Sequence, residues 1–194
     1  MTGAPYLNNA GIFLIETAFG LYILALMLRF LLQWARADFY NPLVQFLVKL
    51  TNPPLLPLRR WIPGLFGLDM AAVVLMFALQ ALEWCLVLGL GGLPIGIAGL
   101  LVLTVAELAG RLVNVFLWGV IIQALMSWFV RDPYNPLYAL VNRLTAPVLR
   151  PAGRLLPPLG GVDLSPILVL VGLQLVLMLL VAPLRDVGLA LLRG

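Results

Sequence analysis

The sequence predicts an all-α membrane protein, with four transmembrane helices arranged as a tandem parallel repeat of helix–amphipathic loop–helix hairpins. Three observations predict it. Charged residues make up only 10% of the 194 and hydrophobic residues 63%, with mean hydropathy +1.08. A water-facing surface usually needs about 25% charged residues, so lipid must solvate much of this one. Four apolar stretches approach the roughly 20 residues that cross a bilayer as a helix. And the chain matches itself.

The first stretch runs from about Gly11 to Trp34, after an N-terminal tail with no charged side chain and no small-residue cleavage site, so it reads as a retained span. The second runs from about Met70 to Leu90. The third covers about 104–129. The apolar segment before it, 91–105, contains Pro94, Gly96 and Gly99; it reads as an interfacial or re-entrant lead-in, or as the first turns of a long tilted helix. The fourth covers about 164–181.

Sliding the chain by about 94 residues superposes Trp34–Gln80 on Trp128–Gln174 without a gap, with roughly 18 of 47 positions identical. The matches include Asp38, Tyr40, Asn41 and Pro42 on Asp132, Tyr134, Asn135 and Pro136. Thr51, Arg60 and Asp69 fall on Thr145, Arg154 and Asp163, and Gln80 on Gln174. Shared hydrophobicity does not produce polar, Gly and Pro identities in fixed register. The expected units are residues 1–90, with loop 35–69, and residues 91–194, with loop 130–163. Two spans per unit return the chain to its starting side, so both copies point the same way.

Within each loop an Asn-Pro pair, Asn41-Pro42 or Asn135-Pro136, supplies an N-cap and a first helical residue. Leu137, Leu140, Val141 and Leu144 then form an apolar stripe at i, i+3, i+4 and i+7, and Leu43, Phe46, Leu47 and Leu50 repeat it. The cations Lys49 and Arg143 lie off the stripe. A helix of roughly ten residues is expected, ended by Pro147 in the second copy. Pro53, Pro54, Pro57 and Pro63, and Pro147, Pro151, Pro157 and Pro158, predict extended, stiff chain beyond it, presenting Arg60, Arg150 and Arg154 at head-group depth. Gly67-Leu68-Asp69 and Gly161-Val162-Asp163 predict a turn and an N-cap for the next span.

Each loop carries four basic residues, Arg36, Lys49, Arg59 and Arg60 in the first and Arg131, Arg143, Arg150 and Arg154 in the second, whereas residues 89–106 carry no charge. The positive-inside rule places both loops in the cytoplasm and both termini in the periplasm; Arg185 and Arg193 argue the other way. The loops read as membrane anchors, as partner-docking surfaces, or as pore or solute-binding elements.

Five ionisable residues fall in or near spans: Glu16, Arg29, Glu83, Glu107 and Arg111. Charges at membrane depth are costly and mark function by default. Glu107 and Arg111 stand at i, i+4 and can pair, and Arg29 can snorkel to the inner interface. With Glu16 and Glu83 they suggest a polar cluster that binds a cation, against a plainer reading as interhelical glue.

There is no histidine and one cysteine, Cys85, in apolar surroundings. The usual general base of nucleophilic catalysis is absent, and zinc or His-ligated haem has no ligand set. No cofactor and no catalytic residue is expected. Nor is nucleic acid, because the net charge of +4 is spread between spans rather than gathered in a patch. The expected partners are the bilayer and its anionic lipids, and a membrane protein partner or further copies of the chain.

The motifs DFYNPL…KLTNPPLLPLRR and DPYNPLYALVNRLTAPVLRP…LLPPLGGVDLSPI resemble the YggT family of bacterial inner-membrane proteins, whose plastid and cyanobacterial relatives are called YlmG-like. The resemblance covers nearly the whole chain and the two-copy form is the proteobacterial one. The first copy departs from the pattern: Phe39 follows Asp38, and Met70-Ala71-Ala72 replaces Leu164-Ser165-Pro166. The resemblance implies an inner-membrane location and association with osmotic-stress tolerance and ion uptake. In plastid relatives it implies cytochrome b6 haem attachment and nucleoid organisation, and in Gram-positive ones a place near cell division. It implies no enzymatic reaction. Two readings follow: a non-enzymatic scaffold or assembly factor, and a cation-uptake or channel-like component.

Overall fold

The computed structural model describes residues 4–65, 67–129, 135–155 and 163–193. These are helical almost throughout. Helix α1 spans Ala4–Trp34, α2 Pro42–Trp61, α3 Met70–Leu90, α4 Ile97–Phe129 and α5 Pro136–Leu155; α6, Ser165–Val176, continues through a π-helical turn, Leu177–Val181, into α7, Ala182–Arg193. Four stretches are long and apolar enough to cross a membrane: Tyr6–Trp34, Met70–Leu90, Ile97–Phe129 and Ser165–Leu192. The protein is a multi-pass membrane protein.

In the first hairpin α1 packs on α3, with α2 across them; in the second α4 packs on α6 and α7, with α5 across. The hairpins join where α3 meets α4. The largest core gathers Ile23, Leu26 and Leu31 of α1 with Ala71, Ala72 and Met76 of α3, and takes in Leu55 of α2, Val115 of α4 and Leu144 of α5.

Two expectations change and one pair of alternatives is decided. The proline-rich segments are helix, not extended chain: α2 runs through Pro53, Pro54 and Pro57, and α5 through Pro147 and Pro151. Burial outweighs the prolines. Val44, Thr51 and Leu55 recur on one face of α2, and Val141, Leu144, Thr145 and Ala152 on one face of α5. Each proline frees the carbonyl four residues back, and the one freed by Pro54, on Leu50, accepts a long hydrogen bond from the Tyr22 hydroxyl at 3.5 Å. Pro63 does lie beyond its helix; Pro157 and Pro158 fall outside the described residues.

Of the two readings of 91–105, the structure shows the first turns of a long helix starting at Ile97. Gly99 and Gly188 are there for packing: a Cβ on Gly99 would stand 2.9 Å from the Gly188 carbonyl, and one on Gly188 2.8 Å from Leu103 Cγ. The other change is that the last span passes Pro183. A π-helical turn absorbs it, with Ala182 N–H reaching back to the Leu177 carbonyl, so the missing proline donor does not break the helix.

The Gly67 turn forms as its residues predict. Gly67 takes φ 78°, a left-handed value suited to glycine, and Leu65 and Leu68 exchange backbone hydrogen bonds at 3.2 and 2.9 Å across it.

Candidate functional site: a two-helix platform and a charged cluster

Asn41 caps α2, its Oδ1 accepting from Leu43 N–H at 3.0 Å. Its Nδ2 donates to the Pro136 carbonyl at 2.8 Å, so the start of α2 is tied to the start of α5, 95 residues away. Asn135 caps α5 in the same manner, accepting from Leu137 and Tyr138 N–H at 2.9 and 3.2 Å. The two amphipathic helices are therefore joined at their N-terminal ends into a platform whose apolar residues face a common cleft. Between them and the spans lies an apolar cleft of about 630 Å³, lined by Leu43 and Phe46 of α2, Leu137 and Leu140 of α5, and Val115 and Trp118 of α4.

The platform is fastened to the spans twice. Thr51 and Thr145 are both fully buried, and each hydroxyl donates to the carbonyl four residues back, Leu47 at 2.6 Å and Val141 at 2.8 Å. Arg29 of α1 donates to Thr51 Oγ1 at 2.6 Å and to the Val48 carbonyl at 3.4 Å. In the second hairpin the amide of Gln123, the residue equivalent to Arg29 under the 94-residue repeat, meets Thr145. Arg29 is thus buried against α2 rather than snorkelling, and stands apart from the other span charges. Sequence reasoning did not single out Gln123; it lies just before the matched segment, and its register with Arg29 is the signal that could have found it.

Asp69 is buried, pairs with Arg59 and accepts from Ala72 N–H at 3.4 Å as the cap of α3. Asp163 accepts from Ser165 N–H at 2.8 Å at the start of α6. A cavity of about 620 Å³ opens between Arg29, Arg59 and Asp69. Lys49 and Arg60 are exposed on α2. On α5, Arg143, Arg150 and Arg154 are exposed and line a shallow cavity of about 280 Å³ with Ala35. Asp38 Oδ1 accepts from Tyr40 N–H at 2.9 Å; Asp132 and Tyr134 lie outside the described residues.

The second constellation forms where the hairpins meet. Arg111 Nη2 of α4 donates to Glu83 Oε1 and Oε2 of α3 at 2.8 and 3.0 Å, and its Nε stands 3.7 Å from Glu107 Oε1. Gly20 of α1 leaves room: a Cβ there would lie 2.8 Å from Arg111 Nη1. Glu16, Glu83, Glu107 and Arg111 line one cavity of about 250 Å³ together with Trp84 and Arg185. The Arg185 guanidinium lies 5.9 Å over the Trp84 ring. In the sequence Arg185 counts only as a charge against the assigned orientation; the continuation of the last helix past Pro183 brings it to the cluster. Among the described residues no three acidic or thiol side chains are placed to share a metal ion. The carboxylates gather around an arginine.

The profile of the CCB3/YggT family matches residues 8–90 and again 102–184, one match on each hairpin. The chain belongs to that family. It is 38% identical over 188 residues to YggT of Escherichia coli K12, covering 96% of this chain and 97% of that one. It is 44% identical over 177 residues to an uncharacterised protein of Pseudomonas aeruginosa, covering 90% of each. A third relative, from Vibrio alginolyticus, is 38% identical over 168 residues, 86% of this chain and 90% of its own length. No solved structure matches. Both family matches include the Asn-Pro cap, the buried threonine and the Gly-x-Asp element.

Proposed function

We propose that this protein is a non-enzymatic scaffold or assembly factor of the bacterial inner membrane that contributes to tolerance of osmotic and membrane stress. Its α2/α5 platform docks a membrane protein partner and anionic lipids. The Asn41–Pro136 hydrogen bond carries the reading: it makes one surface of two elements that would otherwise be separate anchors. The exposed cations on that surface suit acidic partners and head groups. The eight basic residues of the two connecting segments support a cytoplasmic platform with periplasmic termini.

The test is photo-cross-linking in intact membranes from positions 138 and 154. One dominant protein adduct from both positions is expected, and the adduct from 138 is lost when Arg150 and Arg154 are reversed to Glu. Adducts with lipid or with the chain itself alone would overturn the docking role.

A second reading, cation uptake under osmotic shock, is supported by the convergence of Glu16, Glu83 and Glu107 on one cavity. Glu16→Gln leaves the Arg111–Glu83 pair intact and is the variant to use. If the cluster passes cations, it lowers rubidium flux in proteoliposomes several-fold; unchanged flux removes this reading.

A further inference from the structure

The repeat places two glutamines at equivalent positions in the two returning spans. Gln80 of α3 is fully buried. Gln174 of α6 is exposed, nine residues into its span and so about 13 Å along the helix, within the hydrocarbon. A carboxamide facing lipid tails lacks the partners water would give it. The contrast extends along the helix. Val73, Phe77, Gln80 and Trp84 are buried or half-buried, whereas their equivalents Ile167, Val171, Gln174 and Met178 are all exposed. Only 6% of the last span's apolar stretch is buried, against 33% for α3. Helix α3 packs on α1, α2 and α4, whereas among the described helices α6 packs on α4, α5 and its own continuation.

Ile167, Val171, Gln174 and Met178 are spaced 4-3-4; Leu168, Gly172, Leu175 and Leu179 form a second such row on the same exposed face, and Gln174 marks the first as the polar one. A row of this spacing is the seam of a left-handed pair of parallel helices, with Gln174 at one of its inner positions. Two copies in one membrane share their orientation, so a two-fold axis along the membrane normal sets this seam against itself at equal depth. An amide both donates and accepts, so two Gln174 side chains facing across the axis satisfy each other. A single polar layer of this kind fixes register and partner number.

We propose that the protein forms a two-fold dimer through the Ile167–Val171–Gln174–Met178 seam of its last span, with Gln174 hydrogen-bonded to Gln174 of the second copy. The partner is a second copy because the seam is self-complementary in shape period, depth and hydrogen bonding. A head-to-tail contact with α1 would leave one seam open or require a ring.

The experiment is disulfide mapping in native membranes in a Cys85→Ala background. Single cysteines are placed at 167, 171, 174 and 178, and at bundle-facing positions 169 and 173 as controls. Covalent dimers at the four seam positions and not at the controls are expected. Cross-links spread evenly around the helix, or no dimer at any seam position, would overturn the proposal. Energy-transfer measurements in bicelles add a second readout that needs no cross-link. Gln174→Leu should weaken association about tenfold, the value of a short set of interhelical hydrogen bonds in lipid, and Gln174→Asn should restore most of it. Equal dimerisation of all three would remove Gln174 from the interface.

Discussion

Replacing Arg111 by methionine keeps most of the side chain's volume and removes its charge. Glu83, about 5% exposed, then loses both of its hydrogen bonds to the guanidinium, and Glu107 loses the cation 3.7 Å away. Stranding one member of a buried pair costs about 3–5 kcal/mol. Glu83→Gln is milder: Arg111 keeps Glu107, and the new amide can still accept one bond, so about 1–2 kcal/mol is expected. The decisive comparison is the double variant Glu83→Gln/Arg111→Met. It contains no stranded buried charge at position 83, so it should be more stable than Arg111→Met alone, with a coupling of about 2 kcal/mol. The assay is unfolding of the purified protein in bicelles, or its Tm in mild detergent. Arg111→Met should lower Tm on the order of 10 °C, and adding Glu83→Gln should recover part of the loss. Additive losses, with coupling under about 0.5 kcal/mol, would refute the claim that this pair holds the two hairpins together.

Gly20→Ala should cost about 1 kcal/mol in the wild type, because its Cβ meets the Arg111 guanidinium at 2.8 Å, and should be near neutral in the Arg111→Met background; thermal unfolding of the four proteins checks it. Gly188→Ala puts a Cβ 2.8 Å from Leu103 Cγ and 3.1 Å from its backbone nitrogen, so α4 and α7 must separate, at about 1–3 kcal/mol; faster proteolysis of the C-terminal helix reports it. Asn41→Ala removes both the α2 cap and the bond to Pro136, and should lose about 2 kcal/mol against about 1 for Asn135→Ala, whose side chain makes only cap bonds among the described residues. Hydrogen exchange at the starts of α2 and α5 separates the two. Thr51→Val leaves buried Arg29 with only the long bond to Val48 and should cost about 1–3 kcal/mol, read as weaker protection of α2.

The spans were legible because lipid imposes a length and an apolarity that composition alone reports. The caps of α2, α3 and α5 were legible too, since Asn-Pro and Gly-x-Asp act over two or three residues; at α6 the expected cap moves, with Leu164 in the cap position and Asp163 one residue before it. The prolines of α2 and α5 misled because a local rule, the lost donor at Pro53 or Pro147, was set against a stripe judged to stop there. The buried face is Val44, Thr51 and Leu55 in α2 and Val141, Leu144, Thr145 and Ala152 in α5, whereas Leu43, Phe46, Leu50 and Leu137 of the expected stripes are exposed; only packing shows that this face outweighs the missing hydrogen bonds. The charged cluster was half legible. Glu107 and Arg111 can be paired from their spacing, but the closer partner of Arg111 is Glu83, 28 residues away. Arg185 joins them only because a π-helical turn carries the helix past Pro183, beyond the expected end of the span near Val181.

The cluster is also where the two hairpins stop being copies. Under the 94-residue shift Glu83 corresponds to Leu177, Glu107 to Phe13 and Arg111 to Thr17, so no ion pair of this kind can form in the equivalent place. The charges occur where α3 meets α4, the contact that makes one protein of two hairpins. Apolar helices in lipid have no hydrophobic drive to find a single mutual orientation; a half-buried arginine held by two carboxylates, one of them the buried Glu83, supplies one, since rotating either helix would strand a charge. The platform follows from the same orientation, because Asn41 reaches Pro136 only when the hairpins stand in this register. On the seam proposed for the dimer, the sequence keeps the glutamine but none of the charges. A neutral, self-complementary group suits an interface between identical copies, where two like charges would repel.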